Sequence, residues 1–407
     1  MKVALMIDAD YLILTEATDP DYIWRRPELM ARIDPGSVSV REVGDGNLNL
    51  VFVCRDDAGS AVVLKQSLPY VRVAGPSWPL TADRSHAEAK GLTEAFHASP
   101  ATAPRLHSYD PLNHVLAMED LSRLTVWRTA LNDGHIAPNA AAECGRHVAR
   151  LLLATGQFGL EGDAYHSNVH ANRNLAMCRI TEDLVFTQPF VEHPNNRFDN
   201  RLQARVDLIR SDKDLLDQVA RLKADFMTRE DALIHGDLHT GSVMVGTDNP
   251  PMTKIIDPEF CFYGPIAFDL GVLLANLLFA ALRADCLARD HQRQWLTGLP
   301  IEMWNAFEEE FWTLWPQRVD ESMSTDHASD WLKRVARDAV GFAGCEAVRR
   351  IVGFAKVSDI EDLPPELRLV GAAAALDTAH KWITGLHSAW TSDLLTTTTW
   401  IGSSPLD

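Results

Sequence analysis

The chain has 407 residues, more than one hydrophobic core usually covers, so at least two structural units are expected. Apolar residues make up 46% of it and charged residues 23%, the balance of an ordinary water-soluble globular protein. Its 38 basic and 56 acidic residues give a net charge of −18, which repels nucleic acid and anionic membranes, so neither is expected as a partner.

The cysteines and the apolar runs favour a cytoplasmic location. The six cysteines lie far apart, without CxxC pairs or zinc-ligand spacing, so we expect buried thiols in a reducing compartment. The apolar start of the chain is interrupted by Asp8 and Asp10 before the core of a signal peptide could form. The longest apolar run, residues 270–282, contains Asn276 and is too short to span a bilayer.

The first third of the sequence predicts a small sheet-rich unit. Up to about residue 32 the pattern suggests one or two helices, with Pro20 and Pro27 as breaks. Strands joined by hairpin turns are then predicted at residues 37–41, 48–53, 61–65, 104–109 and 114–118.

The first of these hairpins has a glycine-rich turn. Missing side chains would let its backbone amides approach the phosphates of a nucleotide, so the turn is a candidate phosphate flap. A Gly-x-Gly turn taken alone is more often a plain hairpin turn, and this alternative stays open. The residues concerned are Gly44, Asp45, Gly46 and Asn47.

Lys65 is predicted to end a buried strand. A lysine is costly to bury unless its ammonium meets an anion, and phosphate oxygens would serve. Glu88, in a helix predicted over residues 83–96, is the natural carboxylate to position it. A solvated charge on the helix surface is an almost equally good interpretation of Glu88.

The segment Met118-Glu119-Asp120-Leu121 leaves the sheet after the last predicted strand. In two-lobed nucleotide-binding enzymes such an exit strand supplies backbone hydrogen bonds to adenine, which makes Glu119 a candidate contact. An ordinary linker between two lobes would have the same sequence, because backbone contacts leave little side-chain signature. The two interpretations are compatible.

The remaining chain predicts helices, at residues 139–155, 200–227, 266–283 and 338–356. The helix over residues 266–283 is apolar on nearly every side, which is typical of a core helix. Asp269 falls in its first turn, where we expect it to cap amides or brace a neighbouring loop.

Two stretches inserted among these helices carry the chemistry. Residues 233–245 (LIHGDLHTGSVMV) and 254–260 (KIIDPEF) predict a strand, a polar loop, a strand and an acidic turn. Phosphoryl transfer from Mg-ATP needs one carboxylate to orient the acceptor hydroxyl, here Asp237, and others to hold magnesium, here Asp257 and Glu259. A Gly-Asp pair alone would be an ordinary turn, but two histidines and three carboxylates in this order favour catalysis.

Two arginines lie in the apolar centre of the last predicted helix. Arg350 has Glu346 four residues earlier, which we interpret as a routine surface pair. Arg349 shares a face with Gly341 and Cys345, where a ligand could approach, and its guanidinium could bind a polyol or stabilise charge on a phosphoryl group. A structural ion pair is an equally good interpretation of Arg349.

The order of these motifs resembles the aminoglycoside phosphotransferase/choline kinase branch of the protein-kinase-like fold, and within it the family of the 5-methylthioribose kinases. The motifs that carry the resemblance are GDGNLNLVF (44–52), HGDLHTGS (235–242), DPEFCFYGP (257–265) and GFAGC (341–345) followed by Arg349 and Arg350. It covers residues from about 40 to 360.

The resemblance implies an α+β, two-lobed protein-kinase-like fold. Residues 1–118 would form a small antiparallel-sheet lobe that binds ATP, and residues 119–407 a larger helical lobe with the catalytic and substrate-binding groups. Many kinases place an asparagine five residues after the catalytic aspartate to bind a second magnesium, whereas this chain has Ser242. Glu259 can supply the oxygen ligand that serine supplies less well.

The resemblance further implies ATP-dependent phosphorylation of the anomeric hydroxyl of S-methyl-5-thioribose, with Mg²⁺, in methionine salvage. Asp237 would accept the proton of that hydroxyl, and Lys65 would hold phosphate oxygens. Arg349, together with Arg350, would line the sugar side, and a homodimer is expected. Two alternatives remain: another small-molecule kinase of this fold acting on aminoglycosides or choline, and a nucleotide-binding pseudokinase acting as a scaffold.

Overall fold

The computed structural model describes residues 11–43, 48–72, 75–246 and 251–385. The candidate phosphate flap, Gly44 to Asn47, lies outside the described residues, and so does the threonine run at residues 396–399.

The N-terminal segment forms two short helices, α1 (Asp19–Trp24) and α2 (Pro27–Met30). Pro20 and Pro27 were expected to break helices, but each lies in the first turn of one. Proline is tolerated there because its missing N–H would have no intrahelical partner, and its fixed φ suits the helix. These prolines therefore mark where the helices begin.

A five-stranded antiparallel sheet follows, in the spatial order β1-β2-β3-β5-β4. One helix, α3 (Arg84–Ala98), connects β3 to β4. One face of the sheet packs with α1 and α2 around Phe52, Cys54 and Leu64, and the other contacts Leu92 of α3. The strands are β1 (Ser39–Glu42), β2 (Asn49–Arg55), β3 (Ala61–Ser67), β4 (Leu106–Asp110) and β5 (Val115–Met118).

The rest of the described chain is mainly helical, with short strands that hold the polar loops. The helices are α4 (Trp127–Asn132), α5 (Ala140–Thr155), α6 (Gly162–Ala171), α7 (Leu175–Phe186), α8 (Gln203–Ser211), α9 (Lys213–Thr228), α10 (Ile266–Cys286), α11 (Asp290–Leu314), α12 (Thr325–Val352), α13 (Ser358–Glu361) and α14 (Pro365–Gly385). The strands are β6 (Thr125–Val126), β7 (Ala232–Ile234), β8 (Val243–Val245), β9 (Thr253–Ile255) and β10 (Phe262–Gly264).

Helix α10 is the centre of this helical part, as its composition predicts. It is the one helix of the described chain that is long and apolar enough to cross a membrane, and 94% of its most apolar window is buried in the protein. Gly271 lets α12 approach closely, since a Cβ there would lie 2.5 Å from the carbonyl oxygen of Ala339. The close contact fixes α12, and with it the two arginines, against the core.

Helix α12 begins earlier than predicted, because the side chain of Ser324 caps it by accepting a hydrogen bond from the N–H of His327 at 3.1 Å. It ends at Val352, short of the predicted residue 356.

The predicted α+β class, with a small antiparallel sheet and a larger helical part, is confirmed. Strand β5 ends at Met118, and the division into lobes between residues 118 and 119 stays a prediction.

Asp19, at the start of α1, yields a prediction about stability. Its carboxyl group is fully buried, and neither oxygen has a hydrogen-bond partner in the described part of the chain. Burial, together with the charges of Glu16 and Glu42, raises the pKa of Asp19 to about 7 from the ordinary 3.8. The folded state thus holds a proton that the unfolded state has lost, so the carboxyl group destabilises the fold increasingly as the pH rises from about 4 to about 7.

We expect Asp19→Asn to raise the free energy of unfolding at pH 8 by about 1–3 kcal/mol, the scale of one buried unsatisfied polar group. The gain should shrink as the pH falls towards the ordinary pKa of 3.8, because the folded and unfolded states then differ less in protonation. Urea unfolding at several pH values measures it. Asp21→Asn, on the exposed face of the same helix, is the control. A gain for Asp19→Asn that is independent of pH would contradict the titration of Asp19.

Candidate active site

The loop that carries Asp237 is held in place by the first turn of α10. Strands β7 and β10 pair antiparallel, and the loop leaves β7 through Gly236, whose φ is 80°. A Cβ at Gly236 would lie 2.3 Å from the carbonyl oxygen of Phe260, so no side chain fits there. The carboxylate of Asp269, buried in the first turn of α10, accepts hydrogen bonds from the N–H groups of His235 at 2.7 Å and Gly236 at 2.9 Å. Asp269 thus has the bracing position expected for it.

The ring of His235 ties this loop to the acidic turn. Its Nδ1 accepts a hydrogen bond from the N–H of Asp237 at 3.3 Å, and its Nε2 lies 2.9 Å from the carbonyl oxygen of Ile256. These partners make Nε2 the donor and Nδ1 the acceptor of the ring. The positions of Asp237 and Asp257 are therefore linked through one side chain.

Lys65 of β3 is buried and contacts two carboxylates. It binds Glu88 of α3 at 2.6 Å and also binds Asp257 of the acidic turn. Burial alone would lower the pKa of Lys65, but Asp257 and Glu88 outweigh it and raise the pKa, so the ammonium is charged. Glu88 is 1% exposed, which is incompatible with the alternative of a solvated helix charge.

Asp257 adopts a left-handed backbone conformation, with φ at 69°, that aims its carboxylate at Lys65. Desolvation would raise the pKa of Asp257, but Lys65 outweighs it and lowers the pKa. Burial raises the pKa of Glu88 to about 8 against the opposing effect of Lys65, and the charge of Asp257 adds to the rise. Two carboxylates that share one ammonium thus hinder each other's ionisation.

Glu259 is held by Arg84, a residue that sequence reasoning missed. The guanidinium Nε donates to Glu259 Oε2 at 2.9 Å, and Asn49 of β2 donates to the same oxygen at 3.0 Å. Arg84 is fully buried, and its other donors bind Asn49 Oδ1 and the carbonyl oxygens of Leu48, Leu68 and Thr81. An arginine in the first turn of a helix has no sequence feature that distinguishes it from a surface residue.

Arg349 and Arg350 of α12 converge on Asp237. The Nη2 atoms lie 3.5 Å and 4.0 Å, respectively, from Asp237 Oδ1. Both guanidiniums also bind Glu346 through Nε, at 2.5 Å and 2.7 Å. The expected pairing of Arg350 with Glu346 is present, but its expected surface location is wrong, because Glu346 is fully buried and Arg350 is 7% exposed. Burial would raise the pKa of Glu346, but the two arginines outweigh it and lower the pKa.

Glu119 lies where β5 leaves the sheet. Its backbone N–H donates to the carbonyl oxygen of Arg105 at 2.9 Å, and its carboxylate accepts from the N–H of Arg105 at 3.1 Å. Lys254 of β9 lies 3.6 Å from the same carboxylate. The N–H of Glu119 is therefore engaged inside the protein, so any backbone contact of Glu119 with a nucleotide would use its carbonyl group.

The burial of Arg84 leads to a prediction. Arg84→Met should lower the free energy of unfolding by roughly 3–5 kcal/mol, because it leaves the carboxylate of Glu259 buried without its cation. Adding Glu259→Gln should recover part of the loss, since the uncompensated charge is then gone. Arg179→Met is the matched control, because Arg179 also pairs with a carboxylate, Asp183, but its side chain is 69% exposed. Equal urea midpoints for Arg84→Met and Arg179→Met would contradict this account.

Comparisons with known proteins agree with the motifs. The model of the phosphotransferase enzyme family matches residues 39–320. The methylthioribose kinase of Enterobacter sp. (strain 638) is 42% identical over 334 residues, which cover 80% of this chain and 83% of that protein. The methylthioribose kinase of Bacillus thuringiensis subsp. konkukian (strain 97-27) is 40% identical over 358 residues, covering 87% and 88%. The predicted enzyme class, an ATP-dependent phosphotransferase, is confirmed, and the chain belongs to the methylthioribose kinases of the phosphotransferase enzyme family.

Proposed function

We propose that the protein transfers the γ-phosphoryl group of ATP to the anomeric hydroxyl of S-methyl-5-thioribose, giving the 1-phosphate in methionine salvage. The observation that carries the proposal is the convergence of Asp237 with Arg349 and Arg350 in a chain that is 42% identical to a methylthioribose kinase. The sugar is uncharged, so hydrogen bonds to its hydroxyls must recognise it. Guanidiniums donate such bonds in a fixed geometry.

Asp237 is the proposed base. Its side chain is 26% exposed, so an acceptor can reach it, while His235 and Asp269 fix the loop behind it. The carboxylate would orient the anomeric hydroxyl and take its proton as the oxygen bonds to phosphorus. Arg349 and Arg350 would donate to the sugar and to the phosphoryl oxygens on which charge develops.

Lys65, Glu88 and the glycine turn are proposed to serve the nucleotide. Lys65 would bind phosphate oxygens while Glu88 keeps its ammonium in place. Gly44, Asp45, Gly46 and Asn47 would cover the phosphates, and the carbonyl group of Glu119 would contact adenine. The support for Lys65 is its buried, charged ammonium between two carboxylates.

A magnesium ion is the cofactor we propose. Among the described residues no group of three or more His, Cys, Asp or Glu side chains is arranged to hold a metal. Mg²⁺ does not need one, because it is bound in kinases by one or two carboxylates together with phosphates and water. Asp257 and Glu259 fit this requirement, since burial and the charge of Asp257 raise the pKa of Glu259, and a cation would relieve that excess negative charge. When bound, the ion neutralises charge on the phosphates.

We place the lobe boundary between residues 118 and 119. We also propose that the protein is a cytoplasmic homodimer without a nucleic-acid or membrane partner. A cationic acceptor such as an aminoglycoside or choline is disfavoured, because Arg349 and Arg350 face Asp237 from the proposed acceptor side. A pseudokinase is disfavoured because Lys65, Asp237, Asp257 and Glu259 are all retained.

A turnover assay with ATP, MgCl₂ and a panel of acceptors tests the function. We expect methylthioribose to have the highest kcat/KM. Ribose, which lacks the methylthio group, should lose roughly 5- to 200-fold, the effect of about 1–3 kcal/mol from one small apolar contact. Choline and aminoglycosides should give no turnover above background. Equal use of ribose and methylthioribose, or a preference for an aminoglycoside, would defeat the assigned substrate.

The role of Asp237 has its own test. Asp237→Asn keeps the shape of the side chain but cannot accept the proton, so kcat should fall by about a hundredfold or more. Calorimetric affinity for ATP should stay within about twofold, because the base acts after nucleotide binding. If the variant kept more than about a tenth of the wild-type kcat, another group would have to be the base.

A further inference from the structure

His239 is the polar side chain of the catalytic loop that the proposed function leaves without a role. It follows Asp237 by two residues, and its Nε2 lies 3.4 Å from Asp237 Oδ2. Its side chain is 16% exposed, so it faces the site and is not a core residue. Gly241 leaves room for the ring, since a Cβ there would lie 2.9 Å from His239 Cε1. The ring therefore lies between the carboxylate of Asp237 and the backbone of Gly241.

The charges of three arginines disfavour a positive charge on His239. The arginines are Arg128 of α4 and Arg350 and Arg349 of α12, opposed by the carboxylates of Glu346 and Asp237. Burial first, and then the charge of Arg128 and Arg350, hold the pKa of His239 well below its usual value. Its imidazole is therefore neutral at the pH of an enzyme assay, even though it lies next to a carboxylate.

Hydrogen bonds decide which ring nitrogen carries the proton. Ser242 Oγ lies 3.0 Å from His239 Nδ1 and 3.1 Å from the carbonyl oxygen of Asp237. If the hydroxyl donated to the carbonyl, Nδ1 would carry the proton and the lone pair of Nε2 would face the carboxylate. If the hydroxyl donates to Nδ1, Nε2–H points at Asp237 Oδ2. The second arrangement gives up the hydrogen bond that Ser242 Oγ donates to the carbonyl oxygen of Asp237, but it places a donor against an anion, which is the stronger interaction.

We propose that His239 is a positioning residue for Asp237, whose Nε2–H holds Oδ2 so that Oδ1 faces the acceptor hydroxyl. The inference rests on the proposed function, which places the acceptor on the side of Arg349 and Arg350. Those arginines lie 3.5 Å and 4.0 Å from Oδ1, whereas Nε2 of His239 contacts the other oxygen, Oδ2. The 3.4 Å contact is long for a hydrogen bond, and contacts of this kind tighten when substrates bind.

The step needs a neutral donor at this place. The acceptor oxygen bonds to the γ-phosphorus, the bond from phosphorus to the leaving oxygen of ADP breaks with its electron pair going to that oxygen, and the acceptor proton passes to Asp237 Oδ1. A protonated imidazole would add a fourth cation and make the carboxylate a weaker base. The neutral ring orients the carboxylate while leaving it able to take the proton.

The experiment compares three substitutions of His239 in the full-length enzyme. Glutamine places an amide N–H near the position of Nε2, whereas asparagine is too short and alanine has no donor. We expect His239→Ala and His239→Asn to lose about 10- to 100-fold in kcat, within the range of general-base catalysis, with KM for ATP and sugar within about twofold. His239→Gln should keep at least about a third of wild-type kcat, because the donor is restored.

A double-mutant cycle with Asp237→Asn separates this role from others. With no base to position, adding His239→Ala to Asp237→Asn should cost less than about twofold further in kcat. His380→Gln is the matched control, since His380 lies 2.8 Å from Asp212 at the surface of the helical part and should leave kcat unchanged. Thermal midpoints and circular dichroism check that every variant is folded.

Three results would overturn the proposal. In the first, the losses in kcat from His239→Ala and Asp237→Asn multiply in the double mutant. In the second, KM for ATP rises at unchanged kcat, which would assign His239 to a phosphate contact. In the third, kcat of His239→Ala stays within twofold of wild type. Turnover of methylthioribose by the wild type tests the proposed function separately, because no His239 variant enters that measurement. If the wild type acts on another sugar, the double-mutant cycle is measured with that sugar.

Discussion

Two buried cations, one from β3 and one from α3, hold the acidic turn between β9 and β10. Lys65 binds Asp257, and Arg84 binds Glu259, two residues further along the chain. Burying such charges costs several kcal/mol each, and the cost is met only if each charge has a well-placed partner. The correct placement of the acidic turn therefore depends on β2, β3 and the start of α3, and the placement of these elements depends on the acidic turn. The rest of the site is built around this constraint.

Arg84 extends the constraint to the residues next to the proposed phosphate-binding turn. It donates to the carbonyl oxygen of Leu48 and to Asn49, the residues that follow the glycine turn, as well as to Glu259. A shift of the hairpin would therefore disturb the carboxylate that we propose as a magnesium ligand. In the proposed function, the same side chain would connect two roles, covering the phosphates and holding the metal, whose residues lie far apart in sequence.

A second buried charge cluster lies around Asp237. Glu346 holds Arg349 and Arg350, and the arginines in turn contact Asp237 at Oδ1, whereas His239 contacts Oδ2. The cluster places positive charge where the transferred phosphoryl group would pass, while Glu346 keeps the guanidiniums in place before any ligand binds. Such preorganised charge stabilises a transition state without reorganisation during the reaction.

The sequence by itself determined the fold class, the family and the candidate residues, because hairpin turns, helical periodicity and the HGD and DPE motifs are local patterns. Local patterns also placed Lys65 on a buried strand and Asp237 in a loop, although β3 continues past Lys65 to Ser67. The pairing of Arg84 with Glu259, the burial of Glu346 and the contact of His239 with Asp237 Oδ2 were decided by the tertiary structure alone. Whether a charge is solvated or buried depends on which elements pack over it, and no local spacing records that. For this reason Glu346 looked like half of a surface pair, and Arg84 had no distinguishing feature until α3 was packed against the acidic turn.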